Sequence, residues 1–286
     1  MRFAMNLPLS GIAGDVRQLV EYARLAEEIG WDALFLEDYI NYPTDGYRGP
    51  TFDPWITLGA IAVQTTKLML GTTVTPVSRR RPWKVAREAL TIDHLSNGRF
   101  ILGVGLGDVN DPGFGAVGEA TTVKERAAML DEGLAIIDGL WHGKSFSFDG
   151  TYYQVRDMTM RPTPVRQPRI PIWVGGGWPL PGPTRRAARW DGACFYKVAT
   201  GDQWEDVTPD DIRAMHADIA NHRTSDAPFD LLVGGKTPGD DLAPSQQRLR
   251  ALADAGATWW CELILADYPI PEAIRQRIVQ GPPRFD

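Results

Sequence analysis

The chain has 286 residues, of which 43% are hydrophobic and 23% are charged, and it contains only two cysteines. This composition excludes a disordered, collagen-like or disulfide-stapled protein. The formal net charge of −6 does not favour nucleic acid as a partner, and the apolar runs are far too short to span a bilayer. The N-terminal segment lacks the pattern of a signal peptide. We therefore expect a cytoplasmic protein in which Cys194 and Cys261 stay reduced.

Short apolar runs alternate with segments of helical periodicity along the whole chain. The predicted strands are 3–7, 33–36, 68–74, 100–104, 170–174, 193–198, 229–233 and 259–265. The predicted helices are 15–29, 54–66, 83–95, 124–141, 185–190, 210–223, 245–254 and 271–279. Continuous apolar runs are typical of strands that are buried on both faces. The eight strand–helix units predict a closed (β/α)8 TIM barrel, with residues 1–286 as a single domain.

Local signals support several of these boundaries. Asp53 is predicted to cap the second helix, with Pro54 in its first position, and Thr208 is predicted to cap the sixth. Within the second helix, Ile56, Ala60 and Val63 recur at helical spacing. Residues 146–153 alternate around Asp149-Gly150, which predicts a tight hairpin. Together with the proline-rich segment 161–171, this hairpin is interpreted as an insertion between the fourth and fifth units.

Polar and glycine residues cluster where the predicted strands end, and these carboxyl ends carry the active site in barrels of this class. Glycines and hydroxyls predominate there, which suits the close approach of a flat ring to the backbone. None of the four histidines falls at a strand end, so neither a histidine base nor a metal site is expected. The remaining candidates for acid–base work are the side chains Glu37, Asp38, Tyr39 and Asp108.

Two segments could bind an anion. The backbone of 175–177, followed by a helix opening at Thr184, could hold a phosphate. The run Arg79-Arg80-Arg81 could grip a phosphate or an acidic substrate, although an exposed basic loop explains it equally well. Trp259 and Trp260 are adjacent in a strand, so one is expected to point into the barrel and the other toward the helices.

Several segments resemble the luciferase-like monooxygenases, also known as the bacterial luciferase superfamily, and the resemblance covers nearly the whole chain. The motifs that carry it are 70–76 (LGTTVTP), 91–99 (TIDHLSNGR), 102–105 (LGVG), 171–176 (PIWVGG) and 187–192 (AARWDG). The resemblance implies a (β/α)8 barrel that binds reduced FMN, or the deazaflavin F420, with the ring in the barrel mouth.

The resemblance also implies roles for individual residues. Asp38 falls where relatives contact the cofactor ring, and Thr73-Val74 matches a strand bulge, often with a non-prolyl cis peptide, that presses on the ring. Asp108 falls where F420-dependent sugar-phosphate dehydrogenases carry a catalytic Glu. Tyr39 stands where several members carry a His, a departure from their proton-transfer scheme. The residues that match the segment lining the cofactor chain and phosphate are Val174, Gly175, Gly176 and Gly177.

The main functional prediction is a flavin-dependent monooxygenase that uses reduced FMN and oxygen on a small organic substrate, with a reductase as a possible supplier of reduced flavin. The alternatives are an F420-dependent dehydrogenase or reductase and a flavin-binding relative without turnover. A barrel that uses Lys197 as a Schiff-base amine is a further alternative. We expect Asp38, Tyr39 and Asp108 to be catalytic. A homodimer is compatible with the sequence. Substrate specificity is expected to lie in the loops 41–50 and 108–122.

Overall fold

Parallel strands with intervening helices build the fold of the computed structural model, which describes residues 1–10, 14–40, 50–108, 111–199, 205–239, 242–264 and 271–285. The strands are β1 (Arg2–Leu7), β2 (Ala33–Leu36), β3 (Met69–Thr72), β4 (Thr75–Pro76), β5 (Phe100–Gly105), β6 (Phe146–Asp149), β7 (Gln154–Met158), β8 (Ile172–Trp178), β9 (Gly192–Lys197), β10 (Asp230–Gly235) and β11 (Trp259–Leu263). The helices are α1 (Val16–Ile29), α2 (Pro54–Gln64), α3 (Pro82–Ser96), α4 (Pro112–Gly115), α5 (Val123–Trp141), α6 (Pro181–Ala187), α7 (Pro209–His222), α8 (Leu242–Asp254) and α9 (Pro271–Val279).

The strands β1, β2, β3, β5, β8, β9, β10 and β11 form a closed ring. Each pairs in parallel with its neighbours, β3 pairs with β5, and β11 pairs with β1. One helix of at least seven residues follows each of these strands within the described residues, which confirms the predicted (β/α)8 barrel. No helix in the described part of the chain is both long and apolar enough to cross a membrane.

The helix boundaries follow the predicted capping residues. Asp53 accepts the Ile56 N–H at 2.8 Å at the start of α2, with Pro54 in the first helical position. Thr208 and Asp211 form a reciprocal capping box at the start of α7. In α2, however, the predicted stripe lies on the wrong side of the helix, because Ile56 and Val63 are exposed. Its core-facing residues are Trp55, Leu58, Ile61 and Ala62.

The glycine-rich segment after residue 174 differs from its prediction. β8 runs through Gly175, Gly176 and Gly177 and stays paired with β9 as far as Trp178 and Lys197. The following helix α6 begins at Pro181, so Thr184 lies inside it and does not open it. A Cβ at Gly176 would lie 2.5 Å from Pro183, so glycine lets α6 pack against this strand.

The hairpin of the insertion is also built differently. β6 and β7 are joined by residues 150–153, not by a two-residue Asp-Gly turn. The Glu132 carboxylate on α5 accepts the backbone N–H groups of Thr151, Tyr152 and Tyr153 at 2.8–3.0 Å. These bonds satisfy the backbone N–H groups of the longer connection. Glu132 is distant in the sequence, so no local pattern near the hairpin predicts this partner.

Two apolar layers flank the barrel wall. One fills the barrel interior, and its members are Ala4, Ala33, Phe35, Ile101, Trp173, Leu232, Trp259 and Cys261. The larger layer lies between strands and helices and includes Leu34, Leu36 and Trp260. The expected division of Trp259 and Trp260 between the two sides is confirmed. Because strand side chains alternate, this assignment also fixes which residues enter the mouth above the interior layer.

Candidate active site at the carboxyl end of the barrel

The alternation along β2 separates two adjacent carboxyl groups. Ala33 and Phe35 lie in the interior layer, so Glu37 continues that side at the end of the strand. Leu34 and Leu36 face the helices, and Asp38 continues their side. The two neighbours therefore lie in different environments, one in the barrel mouth and one beneath the helices.

The same alternation places further residues in the mouth. Gly71 of β3 faces Phe35, and Cys194 of β9 packs against the interior layer. Two positions farther along their strands are Thr73 and Tyr196. The residues on the interior side at the carboxyl end are Asn6, Glu37, Thr73, Gly103, Gly105, Gly175, Gly177, Tyr196, Gly234 and Leu263. In the described part of the chain, the wall of the mouth thus contains five glycines and a half-exposed tyrosine.

Val74 lies across two neighbouring strands at this end. The Thr73–Val74 peptide bond is cis, as the family resemblance implies. A Cβ added at Gly105 would lie 2.6 Å from Val74 Cγ2, and one at Gly175 would lie 2.5 Å from Val74 Cγ1. Any side chain at either position would push Val74 away. The glycines therefore allow the Val74 side chain to lie against β5 and β8 and form a smooth apolar floor.

Asp38 is fully engaged by groups on the outer side of the barrel. Its carboxylate accepts two hydrogen bonds from Arg80, each 2.9 Å long, and one from Trp55 Nε1 at 3.1 Å. Arg79 donates to the Asp38 backbone carbonyl and also forms an ion pair with Asp111. Only 2% of the Asp38 side chain is exposed. This arrangement positions the loop after β2 and leaves the predicted catalytic role of Asp38 without a supporting contact.

Glu37 has the opposite environment. Asn6 Nδ2 donates to Glu37 Oε1 at 3.0 Å, and Thr73 Oγ1 donates to Asn6 Oδ1 at 3.2 Å. Burial away from water raises the pKa of Glu37 to about 7, and the hydrogen bond from Asn6 offsets part of that rise. A carboxyl group with this pKa can both hold and release a proton near neutral pH. Glu37 is one of the acid–base candidates from the sequence but not one of the predicted catalytic residues, although the alternation along β2 identifies its orientation.

The other predicted catalytic residues border the same mouth. Tyr39 follows Asp38 and is partly buried, and Asp108 is partly buried just beyond β5. The Asp108 backbone carbonyl accepts a 3.0 Å hydrogen bond from the buried Arg126. These positions leave the catalytic roles of Tyr39 and Asp108 as predictions.

The loop that begins at Asp108 is held by two arginines around one aromatic ring. The Arg126 guanidinium lies 3.5 Å from the centroid of the Phe114 ring, and that of Arg79 lies 5.1 Å from it. Asp111 accepts the Gly113 N–H at 2.7 Å. Of the two loops expected to carry specificity, residues 41–49 and 109–110 lie outside the described residues.

The predicted anion sites are weaker than expected. Arg79 and Arg80 already pair with Asp38 and Asp111, which removes both from the proposed basic grip. Arg81 is exposed at the start of α3. At the start of α6, proline at positions 181 and 183 removes two backbone donors that a phosphate would use.

Lys197 does not suit a Schiff-base mechanism. It follows Tyr196 and faces α7, where its Nζ lies 2.9 Å from Asp211 Oδ2. The hydrogen bond to Asp211 raises the pKa of Lys197 above its ordinary value. A Schiff-base lysine must be neutral to attack a carbonyl, so this pairing opposes that role.

Comparison with known proteins identifies the family of this chain and the fold that it shares with solved structures. A family described as luciferase-like monooxygenase matches residues 1–233. An F420-dependent glucose-6-phosphate dehydrogenase from Microbacterium testaceum is 36% identical over 175 residues, which cover 60% of this chain and 50% of the relative. The chain thus matches about half the length of this curated relative.

Two solved structures share the fold. An F420-dependent secondary alcohol dehydrogenase, in complex with an F420–acetone adduct, superposes with a TM-score of 0.74 at 17% identity, covering 97% of this chain and 98% of that one. The long-chain alkane monooxygenase LadA also gives 0.74, at 16% identity, covering 98% of this chain and 89% of that one. At such low identity these two similarities establish the fold alone.

Proposed function

The chain belongs to the luciferase-like monooxygenase family, and from this premise we propose that it is an F420-dependent oxidoreductase acting on a hydroxyl-bearing substrate. The curated relative from Microbacterium testaceum supports F420, because its identity to this chain is well above that of the structural neighbours. A second such dehydrogenase, from Beutenbergia cavernae, is 38% identical over 176 residues, 50% of its length. The alternative from the sequence therefore replaces reduced FMN and oxygen as the preferred function.

The observation that carries the proposal is the glycine-backed floor of the mouth. Val74 lies over Gly105 and Gly175, and a side chain at either glycine would displace it. A Cβ at Gly177 would lie 2.5 Å from Val198 and 3.2 Å from the Tyr196 ring. This cradle suits a flat ring, because backbone and small apolar groups can approach a ring face closely.

The residues around the cradle would have distinct tasks. F420, when bound, would supply a ring that accepts or donates hydride. Val74 would support one face of the ring, and Thr73 would offer a hydroxyl at its edge. Below them, Phe35, Ile101 and Trp173 close the barrel with apolar side chains and exclude water from beneath the site.

A cofactor comparison tests the proposal. The purified protein is titrated with F420 and with FMN under anaerobic conditions, and binding is followed by fluorescence. F420 reduction is then measured with glucose 6-phosphate and with propan-2-ol, without oxygen or a reductase. We expect tighter binding of F420 than of FMN and oxygen-independent reduction of F420. Oxygen-dependent turnover with reduced FMN, and no binding of F420, would overturn the proposal in favour of a monooxygenase.

A further inference from the structure

The carboxyl group of Glu37 is oriented into the barrel mouth by a pair of neutral side chains. Asn6 Nδ2 donates to Glu37 Oε1 at 3.0 Å, and Thr73 holds the Asn6 side-chain oxygen at 3.2 Å. These three residues come from, or directly follow, the adjacent strands β1, β2 and β3. Asn6 gives the only hydrogen bond to Glu37 among the described residues, so Oε2 is left for a ligand.

We infer that Glu37 exchanges with the substrate the proton that accompanies hydride transfer, a role that rests on the proposed function. It lies on the same side of the wall as Thr73, which immediately precedes the Val74 floor. A ring placed on that floor and a substrate above it would lie next to the groups that Thr73 and Asn6 orient. Asp38 cannot take this part, because Arg80 and Trp55 occupy its carboxylate on the other side of the wall.

Within the part of the chain that the structure describes, no positive charge faces Glu37. Asn6 on β1 and Thr73 after β3 are neutral. On β11, Cys261 faces the interior, and burial raises the pKa of its thiol well above the ordinary value, so it remains neutral as well. Burial raises the pKa of Glu37 itself to about 7. The nearby Asp38–Arg80 pair points to the outer layer and is internally compensated.

The chemistry balances for oxidation of an alcohol. The substrate C–H bond breaks, and its electron pair leaves with the hydrogen as hydride to oxidised F420. The O–H bond breaks, its proton goes to the Glu37 carboxylate, and its electron pair forms the second carbon–oxygen bond of the product. Solvent then removes the proton from Glu37. In the reverse direction, protonated Glu37 supplies the proton to the carbonyl oxygen.

A measurement without cofactor tests the ionisation. Carbon NMR of side-chain-labelled glutamate is recorded from about pH 4 to about pH 9 in wild-type protein and in Glu37→Gln. We expect one carboxyl signal that titrates near pH 7, absent from Glu37→Gln. Gln retains an acceptor for Asn6, so the hydrogen bond is preserved. A Glu37 signal that titrates in the ordinary glutamate range would overturn the inference.

Kinetics then test the proton transfer. For alcohol oxidation by the F420-loaded enzyme, kcat/KM of the wild type should rise with pH through about 7, as Glu37 ionises. Glu37→Gln should lose this inflection and at least about 100-fold in kcat, whereas the Kd for F420 should change by less than about threefold, roughly 0.7 kcal/mol. Glu37→Asp keeps a titrating group and should retain part of the rate. Glu21→Gln, at an exposed carboxylate on α1, is the matched control and should behave as wild type.

The outcomes separate the two proposals. If F420 binds and turnover occurs but Glu37→Gln keeps the inflection and the rate, the inference is wrong and the proposed function stands. If the wild type neither binds nor reduces F420, the proposed function fails and the role of Glu37 falls with it.

Discussion

Two adjacent acids at the end of β2 lie on opposite sides of the barrel wall and have different environments. On the outer side, Asp38 is neutralised by Arg80 and fixed by Trp55. On the inner side, the hydrogen bond that the described residues give to Glu37 comes from the neutral amide of Asn6. The bonds from Arg80 and Trp55 fix the Asp38 carboxylate in place, whereas burial without an ion pair lets Glu37 retain its proton to higher pH. The comparison separates a structural acid from one suited to proton exchange, although the two are neighbours in the sequence.

The largest expected effect comes from removing the outer acid. Asp38→Ala leaves the buried Arg79 and the partly buried Arg80 without their shared partner. We expect a loss of about 2–4 kcal/mol in the free energy of unfolding, because Arg80 and the buried Trp55 N–H lose their acceptor, whereas Arg79 keeps its ion pair with Asp111. Urea unfolding measures it. The control Glu21→Ala removes an exposed ion pair with Arg24 and should cost less than about 1 kcal/mol. A loss no larger than that of the control would mean that Asp38 is not a structural anchor.

The inner acid should show the opposite pH dependence from a salt-bridged carboxylate. The folded-state pKa of Glu37 lies above its ordinary value of 4.5, so the folded state binds more protons than the unfolded state between about pH 4.5 and about pH 7. Its contribution to stability is present at low pH and is lost as the pH rises through about 7. Relative to Glu37→Gln, the wild type should lose about 2–3 kcal/mol across this range.

Denaturant unfolding of wild type and Glu37→Gln at several pH values measures this difference. Glu21→Gln serves as the control, because its exposed carboxylate should give a constant offset from wild type. If the free energy of unfolding of Glu37→Gln also differed from that of the wild type by a constant amount at every pH, the predicted pH dependence of Glu37 would be wrong.

A smaller effect should follow from a side chain in the floor of the mouth. Gly175→Ala places a Cβ 2.5 Å from Val74 and must move it. We expect about 1–3 kcal/mol of destabilisation and about a tenfold weaker affinity for F420, equivalent to 1.4 kcal/mol. Gly59→Ala is the matched control, since nothing lies within 4 Å of a Cβ there. In the helix α2 it should stabilise by up to about 1 kcal/mol. If Gly175→Ala and the wild type bound F420 with equal affinity, the floor would have no part in cofactor binding.

Much of the fold could be predicted because its signals are local. Apolar runs and capping residues such as Asp53 and Thr208 identified most strands and helices. Predictions failed where distant partners decide the outcome. The glycines of β8 have no strand propensity, yet pairing with β9 keeps them extended. The carboxylate of Glu132 holds the hairpin connection, and no local pattern shows it.

The sequence predicted a candidate site at the carboxyl end of the barrel, and its residues remain predictions. Family resemblance identified Thr73 and Val74 in the bulge, and their placement at the mouth agrees with it. Asp38 was preferred over Glu37 because resemblance weighs position in the sequence and not the direction of the side chain. Alternation from Phe35 onward, applied to the strand end, distinguishes the two.

The stacking of Arg126 and Arg79 on Phe114 has a consequence for altering substrate scope. Arg79 contacts both the backbone of Asp38 and the carboxylate of Asp111, so one side chain fastens two loops at the barrel mouth. A library that randomises the whole segment after β5 would break this fastening and yield mostly misfolded variants. Retaining Asp111, Phe114 and Gly118, whose φ of +77° favours glycine, while varying the exposed positions 116 and 117 keeps the anchor intact. Substrate specificity can then be varied while Arg79 and Arg126 still hold the loop to the barrel.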